Sequence, residues 1–279
     1  MPRLLTRLGG IFLLTLAAAS VAAPEALQLS GQPHQGKLLF GQTRPGAKVT
    51  LDGEPLKVTR DGHFVLGFGR DADRARVLRV ELGDGTEFKR RLEPEPRDYR
   101  IERVDGLPPE TVTPPAEVLE RIRREAAKVA QARSQRDPRA DWSVDFQWPA
   151  TGRISGVYGS QRILNGEPRR PHYGIDIAAP TGTPVRAPAP GVITLAAPDL
   201  YFSGGTIILD HGHGLSSTFL HLSEVEANVG ERVDQGQIIG RIGASGRATG
   251  PHLDWRMNWR DQRVDPRPLV PPMPASGDD

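Results

Sequence analysis

The sequence predicts a mainly β protein in two parts: a small N-terminal β-sandwich over 27–98 and a larger antiparallel β domain over 142–270. Three observations carry this expectation. Short β-branched and aromatic runs recur in both regions with glycine turns between them. Pro94, Pro96, Pro108, Pro109, Pro114 and Pro115 crowd the stretch between them. One apolar stripe at three- and four-residue spacing follows that stretch, so 99–141 reads as a proline-rich linker and a helix.

In chain order, residues 1–22 read as a signal peptide. Arg3 and Arg7 give a positive start, Ile11 to Ala19 an apolar run, and Ser20-Val21-Ala22 a small-x-small cleavage site. That run is too short to span a bilayer and no later stretch reaches ~20 apolar residues, so the mature chain is expected to lack a transmembrane helix. Without Arg3 and Arg7 the 36 basic groups fall to 34, equal to the 34 acidic ones. No basic tract points to nucleic acid. The absence of cysteine excludes a disulfide framework and a lipid-bearing cysteine.

Over 27–98, Lys37–Phe40, Lys48–Leu51, His63–Leu66 and Val77–Val80 are strand-like, and Asp52-Gly53, Asp61-Gly62 and Asp84-Gly85 are hairpin signals. No catalytic constellation lies here, and a spacer or docking module is expected. The helix should run from Ala116 to about Arg136, with Val118, Leu119, Ile122, Ala126 and Val129 packed on one of the β domains. From Gly152 onward, runs such as Gly191–Leu195 and Thr206–Leu209 continue without a long helical period. Residues 271–279 form a tail.

The chemistry concentrates between His172 and Trp259. His172 and Asp176 are four apart, and His252 and Asp254 two apart, so on strands each pair projects to one side. Gly174, Ile175 and Ile177 favour strand over helix for the first pair. His221, between Leu220 and Leu222, joins from a third strand, its two neighbours pointing into the core. This is a metal-site constellation. Asp210-His211-Gly212-His213-Gly214 has an H-x-H spacing of its own, but its glycines make it a tight turn that does not hold two imidazoles on one face.

Together, His172-Tyr-Gly-Ile-Asp176, Leu220-His221-Leu222 and Gly250-Pro-His252-Leu resemble the H-x-x-x-D, HL and G-x-H-L-H motifs of the lysostaphin/LytM-type zinc endopeptidases of bacterial peptidoglycan. The segment from about Arg153 to Pro266 carries the resemblance. It implies two packed β-sheets with the groove across one. It also implies zinc, one per chain, on His172 and Asp176, with His221 and His252 catalytic. The chain departs from the family at Asp254, which stands where the last histidine ligand would be. A carboxylate is a competent zinc ligand at ~2.0–2.2 Å, so Asp254 can complete the set, and harder oxygen ligation opens the site to other divalent metals. With two aspartates the dication would be formally neutral. The implied protein is a periplasmic endopeptidase acting on the stem-peptide cross-links of peptidoglycan, with a cell-wall hydrolase or a regulator as a further partner. The alternative is a catalytically degenerate module that binds peptidoglycan or activates another hydrolase.

Overall fold

The computed structural model describes residues 26–104 and 116–274. The signal peptide and Pro108 to Pro115 lie outside the described residues, as do the last five positions of the tail. The N-terminal part contains β1 (Leu27–Leu29), β2 (Leu38–Thr43), β3 (Lys48–Leu51), β4 (Glu54–Pro55), β5 (His63–Gly67), β6 (Arg76–Glu81) and β7 (Glu87–Leu92). They form two antiparallel sheets, β1-β2-β5 and β4-β3-β6-β7. Leu39, Leu51, Phe64, Leu66, Leu78 and Val80 are fully buried between them. The sequence runs mark β2, β3, β5 and β6. It does not mark β7, because Glu-Phe-Lys-Arg-Arg-Leu is exposed at nearly every position and is held by ladder bonds to β6 rather than by burial.

After β8 (Ile101–Val104) come β9 (Arg153–Gly156), β10 (Gln161–Leu164), β11 (Glu167–Pro168), β12 (Gly174–Ala178), β13 (Pro184–Arg186) and β14 (Gly191–Leu200). Then follow β15 (Gly204–Asp210), β16 (Leu215–Val225), β17 (Arg232–Val233), β18 (Ile238–Ile242), β19 (His252–Trp259) and β20 (Gln262–Val264). A 10-stranded sheet runs β17-β14-β15-β16-β19-β12-β9, with β13, β18 and β20 attached. The two sheets expected from the resemblance are thus continuous through β16. That strand pairs with β19 from Leu215 to Leu220 and with β18 from Leu222 onward.

The helix α1 (Leu119–Arg133) follows a 3-10 turn at Ala116–Val118 and packs on β14 and β15. Its docking is more polar than its stripe suggests. Leu119 is 40% exposed, and Ala132 is the one fully buried helix residue. Arg121 Nη2 donates to Asp199 Oδ2 (2.9 Å), Tyr201 N–H to Glu125 Oε2 (2.8 Å) and Arg133 Nη2 to Thr218 Oγ1 (3.1 Å).

The N-terminal part is more than a spacer, because its core is continuous with that of the C-terminal part. Strand β8 pairs in parallel with β10, and Arg97 Nη1 bonds the buried Asp265 Oδ2 at 2.7 Å. Phe40 stacks on Trp142 with ring centroids 5.7 Å apart. Among the described residues no helix is long and apolar enough to cross a membrane.

Candidate metal centre

The floor of the site is the middle of three adjacent strands. In β19, Leu253, Trp255, Met257 and Trp259 face the core, so His252, Asp254, Arg256 and Asn258 share the other face. Register places Asp176 of β12 opposite Asp254, and Leu220 of β16 opposite Asp254 from the other side. His172 lies just before β12; its N–H bonds Ser160 O (2.9 Å) and its carbonyl accepts from Gly159 N (2.7 Å). Two glycines leave room for the carboxylates. A Cβ on Gly156 would sit 2.2 Å from Asp176 Oδ2, and one on Gly174 2.4 Å from Asp254 Oδ1.

His172, Asp176 and Asp254 are all buried and each offers a ligand atom within 4.8 Å of the others. His172 Nε2 and Asp176 Oδ1 lie 3.2 Å apart, yet neither has a well-formed hydrogen bond. Among the described residues these two buried polar atoms have no hydrogen-bond partner, and the donor set of one imidazole and two carboxylates fits a divalent metal.

Sequence reasoning missed the guanidiniums around this set. Arg256 grips Asp254 through Nε (2.9 Å to Oδ1) and Nη2, and Arg162 Nη2 lies 3.5 Å from Asp176 Oδ2 and 3.3 Å from His172 Nδ1. Burial alone would raise the Asp254 pKa; the Arg256 charge, then that of His172, holds it well below the usual carboxylate range. The formally neutral centre inferred from sequence is therefore incomplete, since two arginines touch the ligand set. The signal was present: Asp254-x-Arg256 has the even spacing that puts two residues on one strand face.

His221 differs from its expected geometry. Phe219 and Leu222 face the core, while Leu220 lies on the floor opposite Asp254. The alternation is reset by His221 itself, which takes a left-handed conformation (φ 65°) where β16 changes partner. Its Nδ1 bonds Ser245 O at 2.8 Å, and His252 Nδ1 bonds Gly250 O at 2.8 Å. Since a carbonyl only accepts, both Nδ1 atoms carry a proton, so in the neutral ring of either histidine the lone pair is on Nε2. The rings lie 4.8 Å apart, and His252 Nε2 is 3.9 Å from Asp176 Oδ1. Burial lowers the His221 pKa, opposed by the Ser245 hydrogen bond and the Asp254 charge.

His211 and His213 serve the fold. His211 bonds Pro190 O (2.7 Å) and Ser217 Oγ (2.9 Å), and burial pushes its pKa down to about 4. His213 packs against Trp142, ring centroids 5.2 Å apart.

Residues 170–266 match the model of peptidase family M23. The chain is 35% identical over 136 residues to the peptidoglycan DD-endopeptidase ShyA of Vibrio cholerae, covering 48% of this chain and 30% of that protein. It is 38% identical over 122 residues to the DD-carboxypeptidase/endopeptidase Mpg of Neisseria meningitidis, covering 44% and 28%. The chain thus spans less than a third of either relative. A solved structure from Pseudomonas aeruginosa assigned to peptidase M23 superposes with a TM-score of 0.65 at 29% identity, over 85% of this chain and 94% of that one. The motifs, the strand register that gathers them and these likenesses converge: this chain carries a peptidase family M23 domain.

Proposed function

We propose that the chain is a metal-dependent endopeptidase acting on peptide cross-links of peptidoglycan, in which His172, Asp176 and Asp254 hold the metal and His221 and His252 handle protons. The observation that carries this reading is the orphaned pair His172 Nε2 and Asp176 Oδ1, set beside two histidines whose neutral rings carry the lone pair on Nε2. A zinc ion bound there supplies Lewis acidity towards a carbonyl and an acidified water. The chain's own groups do the rest. His221, kept neutral by burial, accepts a proton at Nε2, and His252, once protonated beside Asp176, donates to oxygen. The bidentate Arg256 fixes the orientation of Asp254. Export to the periplasm is part of the proposal and rests on residues 1–22.

One observation favours the degenerate module instead: Arg162 and Arg256 balance the two carboxylates without any ion. Metal analysis of the purified mature chain and digestion of purified peptidoglycan separate the two. The enzyme reading expects about one metal per chain and chelator-sensitive release of muropeptides. His172→Ala and Asp176→Ala should lose the metal, whereas His221→Ala keeps it and loses turnover by roughly 10²–10⁴-fold. A metal-free wild type that binds cell wall without cleaving it would establish the other reading.

A further inference from the structure

Beyond Asp254 the floor of the groove becomes cationic. Arg256 and Asn258 continue the same face of β19, Thr218 of β16 stands opposite Arg256, and Arg263 of β20 stands opposite Asn258, donating to its Oδ1 at 2.9 Å. Arg133 arrives from the end of α1 and donates to Thr218 Oγ1. Three guanidiniums from three elements thus meet on one patch. Among the described residues Arg256 alone of the three has an ion pair, with Asp254. Among the described residues Arg133 Nε is buried with no hydrogen-bond partner. Burial, then the neighbouring charges of Arg263 and Arg256, presses the Arg133 pKa well below its usual range, and burial with Arg256 brings Arg263 to about 10. Such a cluster costs free energy in a protein with nothing to bind it, because a half-desolvated guanidinium needs an anionic partner.

We propose that Arg133, Arg256 and Arg263 form an anion subsite in the groove that takes a free carboxylate of the peptide substrate, close to the cleaved bond. The inference rests on the peptidase reading above for the identity of the ligand. A planar guanidinium fork matches a carboxylate, and Thr218 adds a hydroxyl. Arg256 is two residues from Asp254 along the strand, or about 7 Å, so the carboxylate sits about one residue from the metal centre. The subsite also gives α1 a role in substrate choice, since Arg133 comes from the linker helix and not from the family domain.

The test uses the full mature chain with two synthetic cross-linked muropeptide dimers, one with its carboxyls free and one amidated. The wild type should prefer the free acid by about tenfold in kcat/KM, with the difference in KM, as expected for charged hydrogen bonds. In Arg133→Gln that preference should fall to about one at unchanged metal content, and Arg133→Lys should recover part of it. A wild type without preference, or an Arg133→Gln protein that loses equally on both dimers, overturns the subsite. If circular dichroism shows Arg133→Gln misfolded, Arg263→Gln is read in the same way. If the wild type cleaves neither dimer, the peptidase reading fails, and calorimetry with the same uncleaved dimers decides the subsite. Tenfold tighter binding of the free acid that is lost in the variants supports it; equal binding overturns it.

Discussion

Asp254 does two jobs that mutation can separate. As a candidate ligand it faces His172 and Asp176, and as a counter-ion it neutralises Arg256, whose side chain is only 23% exposed. Removing the carboxylate leaves that guanidinium unpaired, a defect that costs about 3 kcal/mol whether or not metal is present. Asp254→Ala should therefore lower the unfolding free energy of the metal-free chain by about that amount, and Asp254→Ala/Arg256→Met should recover most of it. Equal stability of wild type and single variant in denaturant would show the pair to be solvated. His211 gives a pH prediction. Its folded pKa near 4 lies below the unfolded value of 6.5, so the unfolded chain takes up the proton first as pH falls. Stability should then drop by up to about 3 kcal/mol between pH 6.5 and 4. His211→Gln should lack this component, and unfolding curves at pH 7 and 4.5 measure it. Asp176, His252 and Asp254 were legible as one set because even spacing on a strand fixes a face. His172 precedes β12 and His221 sits where the alternation of β16 is reset, so motif resemblance and not spacing pointed to them. Arg162 and Arg133 were not legible, since they reach the groove from β10 and from α1 by tertiary placement.

At the level of elements, the strands that bury a face were readable and those held only by pairing were not. β7 and β8 show no apolar alternation, and β16 hides its change of partner behind an unbroken run of eleven residues. The helix was legible as a helix, but its docking through Arg121, Glu125 and Arg133 could not come from an apolar stripe. These contacts change what truncation should do. A chain beginning at Trp142 retains every candidate metal and catalytic residue, yet it loses α1 with Arg133, the β8 partner of β10 and the Arg97 partner of Asp265, which is 3% exposed. An unpaired buried carboxylate alone costs about 3 kcal/mol, or roughly 10 °C in Tm for a domain of this size. The shortened chain should melt at least that much lower than the full one in a circular dichroism scan. An unchanged Tm would mean that the N-terminal part contributes nothing to the fold of the rest.

Across the whole molecule, one continuous core and a strand pairing between the linker and the C-terminal part predict joint unfolding. Scanning calorimetry of the mature chain should show a single transition with equal calorimetric and van't Hoff enthalpies; two resolved peaks would make the parts independent. The shared pairing also has a consequence during biosynthesis. Ile101–Val104 leaves the ribosome before Gln161–Leu164, its parallel partner, and the two are separated by 60 positions. At about 5–20 residues per second the first strand waits roughly 3–12 s with its ladder groups unmatched. For that interval the four residues of β8 have no strand to pair with, so this ladder can close only after β10 has been made, and the join between the parts is a late event of synthesis.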